Sequence, residues 1–218
     1  MAVNQTTTSK EKILKKVRQA LIYKSKPKFS NIDLDSNVYD HPADVSLIET
    51  FARNFTTING QFIMCDNKFD FIDKLLTLQE RKKFKKIHCW EEDLQNQFKD
   101  AGFVFHSQSE LIDKAHVGIT TCEALIARTG SVLVSSAKNS RVLTIYPPVH
   151  IVLAYSSQVV YEVKDGLQKI KNKYGKNLPS LMTYISGPAI NTTLDIKQVN
   201  YAHGPRELFV FIIDDTTP

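Results

Sequence analysis

The sequence predicts a mixed α/β fold, with a mostly parallel sheet flanked by helices and a helical extension at the N-terminus. Three observations favour this fold class. From residue 58 onward, apolar runs of strand length alternate with segments of helical periodicity. These runs are continuous rather than alternating in polarity, as in parallel strands that are covered on both faces. Before residue 58, the sequence carries helical periodicity alone.

The N-terminal extension is predicted to contain two helices. Residues 9–23 place apolar side chains at helical spacing, and Thr8 with Glu11 fits a capping box at the start. Residues 25–41 hold three aspartates, two asparagines and a proline, which favours an irregular connector. Residues 43–55 carry a second apolar stripe. We expect these helices to pack on the domain that follows or on another subunit.

The rest of the chain is predicted to form one α/β domain over residues 56–218, so that the extension covers residues 1–55. The predicted strands comprise residues 61–65, 87–90, 103–105, 117–119, 132–134, 151–154, 159–163, 181–185 and 208–213. The predicted helices comprise residues 69–78, 91–100 and 164–174, with a short helix after Ser107. The crowding of strands in the second half favours a mixed sheet.

Composition narrows the class of protein. Three cysteines at unpatterned spacing argue against a secreted disulfide framework, and we expect a cytoplasmic protein without a signal peptide. No cofactor and no metal site are predicted, since three thiols cannot supply a four-thiolate cluster and the six histidines form no short-spaced pair. No apolar run has the length of a membrane span. The charge of +5 lies largely in two lysine-rich stretches without interleaved aromatics, which favours solvated helix faces over a nucleic-acid site.

A polar segment follows the strand predicted over residues 117–119. Open α/β sheets bind ligands beyond the carboxyl ends of their strands. If a helix begins here, the free N–H groups near Thr120 and Thr121 would bind an anion, and Glu123 would act as a general base. Thr120 and Glu123 also have the spacing of a capping box, which needs no catalytic role.

Two further segments offer ligand-binding residues. Thr129, Gly130 and Ser131 form a turn in which a positive φ at Gly130 would let the backbone approach a ligand; the alternative is an ordinary helix C-cap. His150 follows two prolines and borders an apolar run. It is either a ligand-binding residue or a hydrogen-bonded core histidine.

The last third of the sequence places polar residues in two glycine–proline turns before a buried strand. Asp195 could orient His203 for acid–base catalysis, because an imidazole titrates near neutrality. The alternative is a salt bridge that latches two loops. Together with Glu123 and Gly130, we expect these turns to form one cleft for a small anionic metabolite. The residues that the turns contribute are Ser186, Gly187, Asp195, His203, Gly204 and Arg206.

Four of these segments, in this order, resemble the LUD-domain family. They are Gly118–Glu123, Ala127–Ser131, Tyr146–Ile151 and the last third from Ser186. The resemblance implies a fold like that of the NagB, RpiA and CoA-transferase proteins. It also implies a role in lactate utilisation, the oxidation of L-lactate to pyruvate, together with iron–sulfur and cysteine-rich partner subunits.

The sequence departs from the family pattern at Arg128, where relatives have glutamate, and over residues 189–197. These departures leave the identity of the ligand open. Whether the chain is itself an enzyme is also open. The alternative to a lactate-utilisation component is a self-sufficient transferase or isomerase acting on a CoA thioester or a phosphorylated metabolite. As in CoA transferases, Glu123 would then be an acyl-accepting nucleophile. The sequence also leaves open association into a homo-oligomer.

Overall fold

The computed structural model describes residues 8–22, 36, 39, 45–137, 141–189 and 204–215. The chain divides into two compact units, residues 1–41 and 42–218. In the first unit, helix α1 (Ser9–Ile22) confirms the helix predicted over residues 9–23. Both bonds of the capping box are present: the Thr8 N–H donates to Glu11 Oε2 at 2.8 Å, and the Glu11 N–H donates to Thr8 Oγ1 at 3.4 Å.

The described part of the second unit alternates helices and strands, as predicted. Its helices are α2 (Leu47–Thr57), α3 (Lys68–Lys82), α4 (Glu92–Asp100), α5 (Arg141–Ile145) and α6 (Val163–Tyr174). Its strands are β1 (Gln61–Cys65), β2 (Ile87–Cys89), β3 (Val117–Thr121), β4 (Ala124–Ile126), β5 (Ser131–Ser135), β6 (Val149–Tyr155), β7 (Val159–Val160), β8 (Met182–Ile185) and β9 (Glu207–Ile213). Short 3-10 helices lie at Ser109–Lys114 and Ser156–Gln158.

The first sheet has five strands in the order β1-β9-β6-β3-β2, and every pairing in it is parallel. Its central strands are buried on both faces, which explains their continuous apolar sequences. One face packs against α3 and α4 through Phe71, Leu75 and Phe98. The prediction of a parallel sheet flanked by helices is confirmed.

The second sheet has the order β7-β4-β5-β8 and mixes parallel and antiparallel pairs. Leu125, Val132 and Val134 turn inward and share a core cluster with Val152 and other side chains of the first sheet. Ala124, Ile126 and Leu133 face the opposite way, against Ile170 of α6. The strands that we predicted as one mixed sheet therefore form two sheets, packed face to face and covered outside by helices.

Helix α2 packs inside the second unit. The Ser46 side chain accepts from the Glu49 N–H as its N-cap. Phe51 and Phe55 are fully buried in the cluster between the sheets, and their rings stack with centroids 5.2 Å apart. The division into an extension over residues 1–55 and a domain over residues 56–218 stays a prediction.

One predicted strand is not formed. Residues 103–105 are irregular, and only His106 makes an isolated parallel bridge, to His88. Phe103 and Phe105 nevertheless pack against Phe98, so the apolar pattern reports burial rather than strand pairing. Among the described residues, no helix is both long and apolar enough to cross a membrane.

Candidate functional site

Glu123 lies where the chain crosses from the first sheet to the second, just past the carboxyl end of β3. The helix predicted after residue 119 is absent: β3 continues through Thr121 and β4 begins at Ala124. The Glu123 N–H donates to the Leu133 carbonyl at 2.7 Å, so the backbone here pairs with β5. The expected helix start and its capping box at Thr120 are therefore wrong, because strand pairing holds these backbone groups.

The Glu123 carboxylate is held by three side chains. Ser135 Oγ and the Tyr174 hydroxyl both donate to Oε1 at 2.7 Å, and Lys173 Nζ lies 2.7 Å from Oε2. Only 3% of the Glu123 side chain is exposed, against 44% for Lys173. Ser135 ends β5, and the other two end α6, so three elements meet at this carboxylate.

Burial alone would raise the pKa of Glu123, since it penalises the charged carboxylate. The hydrogen bonds from Lys173, Tyr174 and Ser135 outweigh that effect and hold the pKa below its ordinary value of 4.5. Burial likewise opposes the charge on Lys173, yet the hydrogen bond to Glu123 raises the pKa of Lys173 above its ordinary value. At neutral pH the pair is therefore an ionised carboxylate beside an ammonium.

The Glu123–Lys173 pair presents a cation that can bind an anionic ligand. The ammonium of Lys173 has three donors and lies 5.0 Å from the centre of the Tyr174 ring. Because its side chain is half-exposed while its tip is fixed by Glu123, it can also donate to a carboxylate or phosphate from solvent. Glu123 itself can act as a base or nucleophile only if a ligand displaces one of its donors.

The polar groups of Thr121 are hydrogen-bonded to a carboxylate of the protein itself. Its N–H donates to Glu91 Oε1 and its hydroxyl donates to Glu91 Oε2, both at 2.5 Å. Glu91 follows β2, the neighbour of β3 in the first sheet, so two carboxyl ends meet here as the sheet topology requires. The helix start that would have left N–H groups free for an anion near Thr121 is absent, and the Glu91 carboxylate accepts the Thr121 N–H instead. The assignment of Thr121 as a ligand-binding residue stays a prediction.

Thr120 and His150 lie inside the molecule. Thr120 Oγ1 and His150 Nε2 are 2.8 Å apart, and both residues are fully buried. Burial lowers the pKa of His150 to about 3, so the ring is neutral. This placement matches the alternative of a hydrogen-bonded core histidine.

The turn at Gly130 has the predicted positive φ, +61°. No helix precedes it; the turn joins β4 to β5. A Cβ on Gly130 would lie 2.5 Å from the Phe55 nitrogen, so the residue is glycine because α2 passes close to it. Beside it, Ser131 Oγ lies 2.7 Å from Ser186 Oγ. Thr129 lies in the same turn, with a buried side-chain oxygen that has no hydrogen-bond partner in the described part of the chain.

The remaining described site residues gather at the amino end of the first sheet. A Cβ on Gly187 would lie 2.4 Å from the Ile58 carbonyl oxygen, just before β1. The Arg206 N–H donates to the Pro148 carbonyl at 2.8 Å, just before β6. Gly204 also precedes β9. Asp195 and His203 lie outside the described residues.

The structure thus separates the predicted residues into two places. Residues that precede a parallel strand lie at its amino end, so Arg206 and Gly204 are at the opposite edge of the first sheet from Thr121. Ser131 and Ser186 lie with them, whereas Glu123 does not. We had expected all of these turns to meet at the carboxyl ends of the strands. That expectation overlooked the fact that residues before a parallel strand lie at the amino end and only residues after it lie at the carboxyl end.

A cavity of about 470 Å³ lies at this amino end. Its wall comes from the residues that precede β2, β3 and β6, and its positive side chains outnumber its one carboxylate. It is lined by Lys86, Asp113, Lys114, Ala115, His116, Ile145, Tyr146 and Pro148. Its volume is that of small-molecule pockets in general.

Sequence reasoning missed Lys173, Tyr174 and Glu91 as neighbours of the predicted residues. Lys173 is one of several lysines on α6, and nothing in its local pattern distinguishes it. Glu91 follows a short buried strand, a position that the carboxyl-end rule could have singled out. Within the described ranges, no group of three or more histidine, cysteine, aspartate or glutamate side chains could hold a metal ion.

Fold and site together define an α/β protein with a parallel sheet and a buried ionic cluster beside the carboxyl end of β3. The sequence model of the LUD domain matches residues 80–213. The chain therefore belongs to the LUD-domain family. The resemblance noted in the sequence is confirmed, and Thr120, Thr121, Glu123 and His150 all fall inside the matched range.

Curated relatives carry the name "Lactate utilization protein C". The one from Deinococcus radiodurans is 28% identical over 109 residues, which cover 49% of this chain and 50% of the relative. The one from Bacillus velezensis is 24% identical over 198 residues, covering 84% and 79%. The chain spans half of the length of the Deinococcus radiodurans relative and 44% of the length of the relative from Bacillus licheniformis.

The fold is also that of a solved structure. A DUF162 family protein from Deinococcus radiodurans superposes with a TM-score of 0.60 at 17% identity. The superposition covers 77% of this chain and 96% of that one. It supports the mixed α/β architecture.

Proposed function

We propose that this protein is a component of an L-lactate utilisation system, in which lactate is oxidised to pyruvate, and that it binds a small anionic ligand. Membership of the LUD-domain family and the name that several relatives carry support the first part. The observation that carries the second part is the Glu123 cluster. There, a buried carboxylate fixes a half-exposed ammonium at a strand end where α/β proteins bind ligands.

In this proposal Lys173 binds the ligand. Its charge is oriented by Glu123 and by the Tyr174 ring, so little side-chain freedom is lost when a carboxylate approaches. Lactate and pyruvate each present one carboxylate of suitable size. The Glu123 carboxylate, ionised at neutral pH, then lies next to the bound acid and can accept a proton after Lys173 turns toward the ligand.

Asp195 and His203 belong to the same proposal as catalytic residues. Ser186, Gly187, Gly204 and Arg206 gather at the other edge of the sheet, so their proposed contribution to ligand binding is separate from that of Glu123. Iron–sulfur and cysteine-rich subunits are the proposed partners, in the cytoplasm.

The test combines binding with function. A strain that lacks the protein is complemented with wild type, Lys173→Gln or Lys114→Gln, and growth on L-lactate is measured. Binding of L-lactate, pyruvate and inorganic phosphate to each purified variant is measured by calorimetry. We expect Lys173→Gln to lose growth and anion binding while remaining folded.

Lys114→Gln is the matched control, since it removes one exposed lysine from the cavity at the amino end. If Lys114→Gln loses anion binding and Lys173→Gln keeps it, the ligand site is at the amino end and the proposed role of Lys173 is wrong. If both variants support wild-type growth on lactate, the proposed role of Lys173 is wrong. If the strain that lacks the protein grows on lactate as well as wild type, the proposed function fails.

The alternative is a transferase acting on a CoA thioester, and the ionised state of Glu123 favours it, because a nucleophilic carboxylate must be deprotonated. Attack of Glu123 on the thioester carbonyl would form a glutamyl anhydride and release the CoA thiolate. Incubation of the purified chain with acetyl-CoA tests this. Release of free thiol by wild type but not by Glu123→Gln would support the transferase.

A further inference from the structure

Helix α1 carries an apolar stripe that is exposed along its whole length. Ile13, Leu14, Val17 and Leu21 recur at spacings of three and four residues, which places them on one side of the helix. Each of these side chains is between 42% and 64% exposed. An amphipathic helix whose apolar side meets water gains stability when another surface covers it.

The charges of α1 indicate what that surface is. The helix has five basic side chains and a single acidic one, Glu11. Lys16 and Arg18 stand on either side of Val17 in the sequence, so they project about 100° to each side of it. Cations therefore border the apolar stripe on both flanks, where their long stems can lie along an apolar surface while their charged ends reach outward.

We propose that α1 binds the surface of an anionic lipid bilayer. Its apolar stripe would enter the boundary between headgroups and acyl chains, and the flanking cations would contact lipid phosphates. A second copy of α1 is a poorer occupant. Two helices with the same excess of positive charge repel each other, and 14 residues give only two heptads of contact.

The test uses the full chain and sedimentation with vesicles. Vesicles of phosphatidylcholine alone are compared with vesicles of phosphatidylcholine mixed with phosphatidylglycerol. We expect binding to the mixed vesicles only, and weaker binding as salt is added. Lys16→Gln combined with Arg18→Gln should lower the partition coefficient by about fivefold per removed charge, equivalent to about 1 kcal/mol each.

Two control variants distinguish binding through α1 from nonspecific attraction between a positively charged protein and anionic vesicles. Lys99→Gln combined with Lys171→Gln removes the same charge from exposed positions on α4 and α6 and should leave binding unchanged. Leu14→Asn combined with Leu21→Asn should abolish binding, whereas Val104→Asn, at a position 78% exposed outside α1, should not.

Three results would overturn the proposal. The first is the absence of binding to mixed vesicles. The second is equal loss of binding in the α1 variants and their matched controls, which would indicate adsorption through net charge. The third is unchanged lipid binding by the α1 variants, which would assign the binding to another surface of the chain.

Discussion

Replacing Lys173 by methionine tests the Glu123 cluster most directly. The substitution keeps most of the apolar stem and removes the ammonium, so Glu123 remains buried with only the Ser135 and Tyr174 hydroxyls as donors. A buried carboxylate without its cation destabilises the folded state, because its desolvation is no longer offset. We expect the variant to fold but to unfold more easily than wild type.

The size of the effect follows from the exposure of the two partners. A hydrogen bond to a charged group contributes about 1.5–3 kcal/mol. Lys173 is 44% exposed, so water screens the pair and a value near the lower end applies, about 2 kcal/mol. For a chain of this length, that corresponds to a fall in Tm of about 4–8 °C.

The dependence on pH identifies the cause. The folded pKa of Glu123 lies below its ordinary value of 4.5, so the carboxylate stabilises the fold fully above pH 4.5. That stabilisation is lost as the pH falls through the folded pKa. The difference between wild type and Lys173→Met should therefore be largest near neutral pH and should shrink in acid.

Urea unfolding across a pH series measures this difference. Lys171→Met, an exposed lysine on the same helix, is the matched control and should change the free energy of unfolding by less than about 0.5 kcal/mol. A double-mutant cycle with Glu123→Gln should give a coupling of about 1–2 kcal/mol. A coupling near zero, or a loss that does not depend on pH, would refute the reasoning.

Three further predictions concern buried groups. Gly130→Ala should destabilise the fold more than Gly175→Ala in thermal unfolding, since both have positive φ but only Gly130 lacks room for a Cβ. The folded pKa of His150, about 3, lies below the ordinary 6.5, so the free energy of unfolding should fall by up to about 1.4 kcal/mol per pH unit below pH 6.5. The His150→Gln variant should lack this dependence on pH. Burial raises the pKa of Cys65 to about 11 and of Cys89 to about 12, so neither thiol should react with a disulfide reagent at pH 8 until the protein is unfolded.

The fold class was predictable because burial leaves a direct mark on sequence. Strand β9 reads as an unbroken apolar run, and it lies between β1 and β6 with both faces covered. Its place in the sheet was not predictable. β9 is the last strand of the described residues yet pairs with β1, the first, and no local pattern encodes a contact across that separation.

The same limit applies to the Glu123 cluster. Glu123 was identified from its place after a buried strand, but Lys173 is 50 residues away in sequence. The error about a helix at Thr120 has a local cause, since a Thr-x-x-Glu pattern also fits a strand that continues. The β-branched residues before Cys122 and the apolar residues after Glu123 favoured that reading.

The glycine turns have a conformation that the sequence predicts and a cause that it does not reveal. Positive φ is present at Gly130 and at Gly187, as expected of glycine in tight turns. At Gly130 the sequence left two explanations open, the approach of a ligand and a helix C-cap. In each case the atom that excludes a Cβ belongs to the protein: the Phe55 nitrogen at Gly130 and the Ile58 oxygen at Gly187. These two glycines let the end of α2 and the start of β1 pack against the turns, so their motifs can be explained by packing alone. Among the predicted site residues that the structure describes, Glu123 is a buried charge paired with a half-exposed cation, and packing alone does not explain that arrangement.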